Sequence, residues 1–135
     1  MLRLEIVTPE QKTFSDDVDS VVIPGIEGEM GVLPLHVPLM TQLQPGELRV
    51  MKKGQETRLA VGEGFVKITS DKVAVLTDMA VRESDIDETA AEEAVRRAEA
   101  AMAGNKLSNE EYASTSAALQ RSLALVKVKR RRHHH

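Results

Sequence analysis

Cysteine is absent from the 135-residue sequence, which excludes disulfide scaffolds, thiolate metal sites and thiol nucleophiles. Aromatic residues make up only 2% of the chain and tryptophan is missing, so we expect an aliphatic core and no stacking platform for single-stranded nucleic acid. No apolar run approaches the roughly 18 residues that a membrane helix needs. The first residues form neither a basic start nor an apolar block, so no signal peptide is expected.

The residues that are present are distributed unevenly along the chain. All five prolines and seven of the eight glycines lie within the first 64 residues. Residues 1–104 carry 11 Lys and Arg against 19 Asp and Glu, a net charge of −8, whereas residues 105–135 carry 7 against 2, a net charge of +5. Together they give the −3 of the whole chain. We interpret this asymmetry as two architectures joined in one chain.

The N-terminal part has the pattern of an all-β domain. Residues 2–6 alternate between apolar and polar side chains, which is the period of a half-buried strand. Lys53-Gly54 predicts a hairpin turn. Further strands are expected over residues 18–23, 47–50, 57–61, 65–69 and 73–77. Because no long helical segment separates these strands, they predict an antiparallel β-sandwich or barrel over residues 1–83 and disfavour a βαβ nucleotide-binding fold.

The C-terminal part has the three- and four-residue period of helices, which predicts an antiparallel helical hairpin over residues 84–128 and an α+β fold class overall. The expected boundaries are a cap at Ser84 with a helix from Asp85, an end at Gly104-Asn105, and a capping box from Ser108 to Glu111. The stripes expected to be buried are Ile86, Ala90, Ala94, Ala98 and Ala101 or Met102 on the first helix, and Tyr112, Ser116, Leu119, Leu123 and Val126 on the second. Residues 129–135 are expected to form a basic and histidine-rich tail.

The first helix would bury mainly alanine, and this limits how firmly the hairpin can dock. On a scale of roughly 0.8 kcal/mol per buried methylene, such an interface contributes little. Two interpretations remain open at this stage: an ordinary hairpin packed on the sandwich, or a mobile element that changes partners.

Candidate chemical groups are few. His36 has no evident acid partner or nucleophile and is interpreted as a structural or interface residue. The acidic residues within 16–19 do not have calcium-loop spacing, and Asp85 and Asp87 suit the first turn of a helix. The glycine-rich stretch 25–31 lacks the ending of a P-loop and is interpreted as a surface loop. The three histidines at 133–135 are interpreted as a tag remnant or a disordered end, so neither a catalytic nor a metal site is predicted.

Basic residues cluster on and after the last predicted helix. They are Arg121, Lys127, Lys129, Arg130, Arg131 and Arg132. Such a cluster can bind nucleic acid, an anionic membrane or an acidic protein, or can remain a solvated end that complements the helix dipole. The acidic body and the scarcity of aromatics disfavour nucleic acid.

Several motifs together resemble those of the ε subunit of bacterial F-type ATP synthases, over essentially the full chain. The most specific is Gly28-Glu29-Met30-Gly31-Val32-Leu33-Pro34-Leu35-His36-Val37-Pro38-Leu39, which is similar to the family's Gly-x-x-Gly-x-Leu-Pro-x-His-x-Pro-Leu. The others are Leu4 to Glu10 with Phe14 and Asp17-Val18, Gly64 to Ile68 followed by Asp71 to Val73, and Ser84 to Asp87.

The resemblance implies a non-catalytic rotor subunit without a cofactor. The sandwich would contact the γ subunit and the c-ring, with Glu29, Gly31, His36 and Pro38 as the positions carried over to that interface. The hairpin would be a mobile inhibitor of ATP hydrolysis, and its basic helix would meet the α and β subunits through Arg121, Lys127, Lys129 and Arg130. The expected location is the cytoplasmic side of the bacterial plasma membrane, reached indirectly through these partners.

One family motif is degenerate in this chain. Some members bind ATP on the folded hairpin through Ile-Asp-x-x-Arg-Ala, and here Ile86, Asp87 and Ala91 match whereas Ala90 replaces the arginine. A family glutamate at the end of the last strand corresponds to Val81. Because alanine cannot imitate a guanidinium, weak or absent ATP binding is predicted.

Two other classes of function remain as alternatives. One is a small β-sandwich binding module with a helical hairpin for dimerisation. The other is an enzyme, which would need a pocket that joins His36 to a buried acid.

Overall fold

The computed structural model describes residues 1–10 and 12–131, and its description of side chains leaves out residues 11–13 and 132–135. Within this description, strands fill the chain up to residue 82. Their bounds are β1 (Leu2–Val7), β2 (Lys12–Val18), β3 (Ser20–Gly25), β4 (Gly28–Val32), β5 (Leu39–Leu43), β6 (Gly46–Lys52), β7 (Gln55–Val61), β8 (Gly64–Ile68), β9 (Lys72–Thr77) and β10 (Ala80–Arg82). A 3₁₀ turn (Glu83–Asp85) leads to helices α1 (Glu88–Ala103) and α2 (Asn109–Arg131).

The strands form one hydrogen-bonded path that curls around the core. Its order is β10-β7-β6-β3-β5-β8-β9-β1-β2, with β4 paired to β3. The curl brings β2 beside β6, where the Lys52 ammonium lies 2.8 Å from the Asp16 carboxylate and the Asp19 N–H donates to the Met51 carbonyl over 2.8 Å. The predicted α+β class, a strand-rich domain followed by two helices, is therefore confirmed.

One strand pair departs from the predicted antiparallel arrangement. β1 and β9 run parallel, with Leu4 opposite Val73. These strands are far apart in the sequence, so no hairpin turn dictates their relative direction.

The core is aliphatic, as the shortage of aromatic residues predicts. Leu2, Leu4 and Ile6 are completely buried, which confirms the period-two interpretation of the first strand. On β6 the same alternation buries Leu48 and Val50 in the core and turns Glu47 to the opposite face of the sheet.

Two local strand predictions are wrong. The strand expected over 18–23 divides at Asp19, whose carboxylate accepts a hydrogen bond from the Lys53 N–H over 2.8 Å. The stretch 25–31, expected to be a loop, is a β-hairpin in which Gly25 pairs with Gly28 at the end of β3 and β4. The turn at Lys53-Gly54 is confirmed, and both residues have positive φ, 52° and 78°.

The first helix begins later than predicted. Asp87, and not Ser84, caps α1, because its carboxylate accepts a hydrogen bond from the Ala90 N–H over 3.1 Å. At the other end Gly104 keeps a right-handed helical conformation, and Asn105 takes the positive φ of 57°. α2 continues to Arg131, beyond the boundary expected at residue 128.

The buried faces of the helices agree with the predicted stripes only in part: Ile86, Ala98 and Val126 are buried as predicted. On α1, Ala91 and Ala98 are buried, and Ala90 is exposed. On α2 the buried residues are Ser122, Ala124, Val126 and Val128, whereas Tyr112 and Leu123 are exposed. The stripe was misassigned because α2 packs against two neighbours, α1 and the outer face of β6 and β7, so its buried surface is wider than one helical stripe.

The predicted capping box of α2 is confirmed. The Ser108 N–H donates to the Glu111 carboxylate over 2.9 Å, and the Glu111 N–H donates to the Ser108 hydroxyl over 3.1 Å. The backbone hydrogen bond from Ser108, followed by the side-chain one, lowers the pKa of Glu111 below its ordinary value of 4.5.

This lowered pKa makes the start of α2 sensitive to acid. Because the folded pKa lies below the unfolded value, the capping box contributes its full stability above about pH 4.5 and loses it as the pH falls through the folded pKa. We expect an NMR titration of the Glu111 carboxyl to have its midpoint below 4.5 and Ser108→Ala to raise that midpoint. A midpoint at or above 4.5 in the unmodified chain would contradict the assigned hydrogen bonds.

Two glycines in strands provide a matched test of the packing. A Cβ at Gly64 would overlap the backbone of Leu76 on β9, whereas a Cβ at Gly31 has no neighbour within 4 Å. We expect Gly64→Ala to reduce the free energy of unfolding in urea by about 1–3 kcal/mol, the usual cost of overpacking. Gly31→Ala should stay within about 0.5 kcal/mol of the unmodified chain. Equal effects would contradict the close approach of β8 and β9.

Candidate functional site

An exposed apolar loop follows β4. Leu33, Leu35 and Val37 are 64%, 85% and 75% exposed, and Leu39 and Met40 continue the surface. Leu35 has a positive φ of 68°, and its N–H donates to the Ser70 carbonyl over 2.6 Å. Contiguous exposed apolar side chains of this kind are typical of an interaction surface.

Three of the predicted interface residues lie on or beside this loop. His36 is half-buried, and its Nδ1 lies 2.7 Å from the Val37 carbonyl oxygen, so the tautomer with a proton on Nδ1 donates to that oxygen. Pro38 is exposed within the loop, and Gly31 is exposed on β4. The loop thus collects Gly31, His36 and Pro38 around an apolar surface.

Glu29, the fourth predicted interface residue, has a different environment. Its carboxylate accepts a hydrogen bond from the Arg49 guanidinium on β6 over 2.9 Å. This hydrogen bond is the main reason why the pKa of Glu29 is lowered. Glu29 therefore belongs to a charged cluster on the outer face of the sheet, next to the end of α2.

Sequence reasoning overlooked Glu47, the centre of that cluster. Its side chain is 2% exposed, and its Oε1 lies 3.1 Å from Arg49 and 3.0 Å from Arg131 at the end of α2. Alternation with Leu48 places Glu47 on the outer face of β6, where a glutamate is normally solvated. Only the docking of α2 on that face buries it, and no local sequence signal reports this contact.

The basic residues of α2 are engaged by acidic groups of the same chain. Their pairs are Arg121 with Asp78 at 3.2 Å, Lys129 with Glu83 at 3.8 Å, Arg130 with Glu88 at 2.9 Å and Glu92 at 3.2 Å, and Arg131 with Glu47 at 3.0 Å. Because Arg130 at the end of α2 meets the first turn of α1, the helices are antiparallel, as predicted. Lys127 is exposed, and Arg132 and the three histidines lie outside the described residues.

A second apolar surface lies near the start of β8, whereas the apolar loop after β4 leads to the end of β8, where Leu39 pairs with Ile68. Phe65 and Leu76 face each other across β8 and β9 and are 54% and 53% exposed. Beside them is a groove of about 540 Å³. Its lining includes Ile26, Gln42, Pro45 and Phe65. The alternation of Phe65 with the buried Val66 and Ile68 was the available sequence signal for this surface.

The acidic residues Asp16, Asp17 and Asp19 each contact a different basic residue. Asp16 pairs with Lys52, Asp17 pairs with Arg3 over 3.4 Å, and Asp19 accepts the Lys53 N–H. Across residues 1–10 and 12–131, no three metal-binding side chains come together. None of the helices in these ranges combines the length and the apolar character needed to cross a membrane.

The residues of the degenerate ATP motif have structural roles in the fold. Ile86 is buried with Ala60 and Val128, and Val81 packs against the same cluster. Asp87 caps α1. The interhelical cleft nearby measures about 200 Å³ and is lined by Glu92, Val95, Arg96, Leu123, Val126 and Arg130. Arg130 is already paired with two carboxylates there, so a polyphosphate would have to compete with them.

We therefore expect titration calorimetry of the chain with ATP and Mg²⁺ to give no saturable binding. Ala90→Arg adds the missing guanidinium at an exposed position of the first turn of α1 and should introduce measurable binding. Ala90→Gln, with a long side chain but no charge, is the matched control and should not. Tight stoichiometric binding by the unmodified chain would contradict this prediction.

Comparisons with known proteins divide the chain at the same place as its architecture. Residues 1–83 match the family model described as ATP synthase, Delta/Epsilon chain, beta-sandwich domain, and residues 84–130 match the ATP synthase, Delta/Epsilon chain, long alpha-helix domain. The chain is 48% identical over 134 residues to the ATP synthase epsilon chain of Dehalococcoides mccartyi strain BAV1, covering 98% of this chain and 96% of that one. It is 42% identical over 134 residues to the corresponding chain of Herpetosiphon aurantiacus, with 97% and 98% covered.

Solved structures show the same similarity. A chain of the Euglena gracilis mitochondrial ATP synthase, in a structure of OSCP, F1 and c-ring, superposes with a TM-score of 0.76 at 25% identity, covering 92% of this chain and 78% of that one. A chain from the central stalk and c-ring of the Tetrahymena thermophila mitochondrial ATP synthase gives a TM-score of 0.61 at 12% identity, covering 95% and 96%, which supports the fold alone.

Proposed function

Because the chain belongs to the family of ATP synthase delta/epsilon chains, we propose that it is the epsilon chain of an F-type ATP synthase, a non-catalytic component of the central stalk. The observation that carries this proposal is near full-length identity of 48% with an epsilon chain, with the β and helical parts matched in order.

The sandwich supplies the surfaces for the permanent partners. We assign the apolar loop, with Gly31, His36 and Pro38, to the contact with the c-ring. Glu29 would add a charge at the edge of that contact, because half of its side chain remains exposed beside Arg49. The Phe65 and Leu76 surface would bind the γ subunit. Large exposed apolar side chains in these two places support binding, since a partner would remove them from water.

The helical hairpin would be the regulatory part. Docked, it pairs most of its basic side chains with acids of its own chain, and released, it would offer Arg121, Lys127, Lys129 and Arg130 to acidic surfaces of the α and β subunits. Among the described residues, the apolar cluster at the docking contact buries three side chains, Ala60, Ile86 and Val128, and this limited burial supports two states of similar free energy. By exchanging its own acidic partners for those of the α and β subunits, the released hairpin would inhibit ATP hydrolysis. In the synthesis direction, the complex would couple proton translocation to ATP synthesis.

Location follows from the partners. As part of a complex built on a membrane-embedded ring, the chain would lie at the cytoplasmic face of the bacterial plasma membrane, associated with the membrane indirectly through the complex.

Reconstitution with α, β and γ subunits tests both roles. We expect the full chain to bind γ and to lower the ATPase rate, and a chain truncated after Glu83 to bind γ with most of the inhibition lost. A dimeric chain without affinity for γ would overturn the proposal, and truncation that abolishes γ binding would refute the division of roles.

A reversible lock provides the matched control for truncation. Ala60 and Val128 lie in one buried cluster and the chain has no cysteine of its own, so Ala60→Cys/Val128→Cys is designed to form a disulfide that would keep the hairpin docked. The oxidised variant should bind γ without inhibiting, and reduction should restore inhibition. Inhibition by the oxidised form would exclude release of the hairpin as the mechanism.

A further inference from the structure

Glu47 is a carboxylate buried between the sandwich and the last turn of α2. Its Oε1 accepts a hydrogen bond from Arg49 over 3.1 Å and lies 3.0 Å from the Arg131 guanidinium, with which it forms an ion pair. Its Oε2 is buried as well and has no hydrogen-bond partner among the described residues. Both cations thus meet at one oxygen, and the other oxygen is buried without a partner among the described side chains.

The two arginines hold Glu47 from opposite sides of the docking contact. Arg49 belongs to the sandwich and keeps a second partner, Glu29, whether or not the hairpin is docked. Arg131 belongs to α2 and crosses the contact, with 45% of its side chain exposed. Undocking would therefore remove one of the two cations from Glu47 and return both carboxylate oxygens to water.

We propose that Glu47 and Arg131 form the latch that sets the docking equilibrium of the hairpin. The ion pair with Arg131 offsets part of the free-energy cost of burying the Glu47 charge. The unpartnered Oε2 adds to that cost, so the latch favours the docked hairpin and still permits its release. Removing Arg131 leaves Glu47 to be buried with Arg49 alone, which favours release. Removing the charge of Glu47 abolishes the need for Arg131. The latch adds a controlling contact to the proposed function, and only its regulatory consequence depends on that function.

The absence of cysteine allows a direct measurement of release. Val128 is completely buried against Ala60 and Ile86, so the thiol of Val128→Cys reacts with Ellman's reagent only when α2 lifts from the sheet. In the full chain carrying this reporter, we expect Arg131→Gln to speed labelling about tenfold, equivalent to about 1.4 kcal/mol. Arg121→Gln removes the more exposed pair with Asp78 and is the control, with an expected change below about fivefold.

Changing Glu47 tests the coupling. We expect Glu47→Met, which replaces a buried charge with an apolar side chain of similar length, to leave labelling unchanged or slower. In that background Arg131→Gln should change the rate less than twofold. Glu47→Gln also removes the charge and should cancel the effect of Arg131→Gln, which covers the case in which Met at this position disturbs the sheet.

A second reporter separates release of the helix from fraying of its end. Ala124→Cys lies about one turn before Val128 and is also buried. Acceleration by Arg131→Gln at both reporters supports the latch. Acceleration at Val128→Cys alone, no acceleration at either reporter, or the same acceleration in the Glu47→Met background would each overturn it. Since labelling needs no other subunit, a latch without inhibition in the reconstituted complex would refute the proposed regulatory role of the hairpin and leave the latch standing.

Discussion

The contact between α2 and the outer face of β6 and β7 fixes the position of the helical hairpin and of the charged cluster beneath it. It buries Val128 against Ala60 and Ile86, and it covers Glu47, which the alternation of β6 turns away from the core. Without α2, this face of the sheet would expose its apolar side chains to water, and Glu47 with them. The same contact positions α1, which touches the body of the protein mainly through its pairing with α2.

Apolar and ionic contributions to this contact have different consequences. Among the described residues, the apolar cluster buries three side chains, Ala60, Ile86 and Val128, so the area that it removes from water is modest. The ion pairs at its margin are partly exposed, and such pairs contribute little individually. Glu47 is the exception. Because its carboxylate is buried, loss of its pair with Arg131 would cost more free energy than loss of one of the exposed pairs. A docking surface of this composition holds the hairpin in place and still permits release.

The sandwich is organised differently, around a core of completely buried leucine, valine and isoleucine side chains. This core supports the proline-containing loop on which Leu33, Leu35 and Val37 are exposed to water. The outer end of β8 carries a second apolar surface around Phe65. A stable domain with two such surfaces suits a permanent partner in an assembly, whereas the helical hairpin suits an exchangeable one.

Much of the fold could be predicted from local pattern. The alternation of residues 2–6, the turn at Lys53-Gly54 and the capping box at Ser108 and Glu111 are confirmed, because each depends on residues close together in the chain. One failed prediction was a choice between two neighbouring cap residues, and the other two depended on distant partners. Asp87 and not Ser84 caps α1, the parallel pairing of β1 with β9 has no hairpin turn to announce it, and the stripe of α2 was misplaced because two neighbours cover this helix.

The interaction surfaces divide in the same way. The sequence by itself determined an aliphatic β domain, a helical hairpin poor in large apolar side chains, and a basic C-terminal end, since composition and periodicity are local properties. Only the tertiary structure decided that Glu29 shares Arg49 with Glu47 and that Arg131 closes over that carboxylate. Residues 29, 47, 49 and 131 are brought together by the pairing of β4 and β6 with β3 and by the return of α2 across the sheet. The burial of a charge depends on what covers it, and here the cover comes from the far end of the chain.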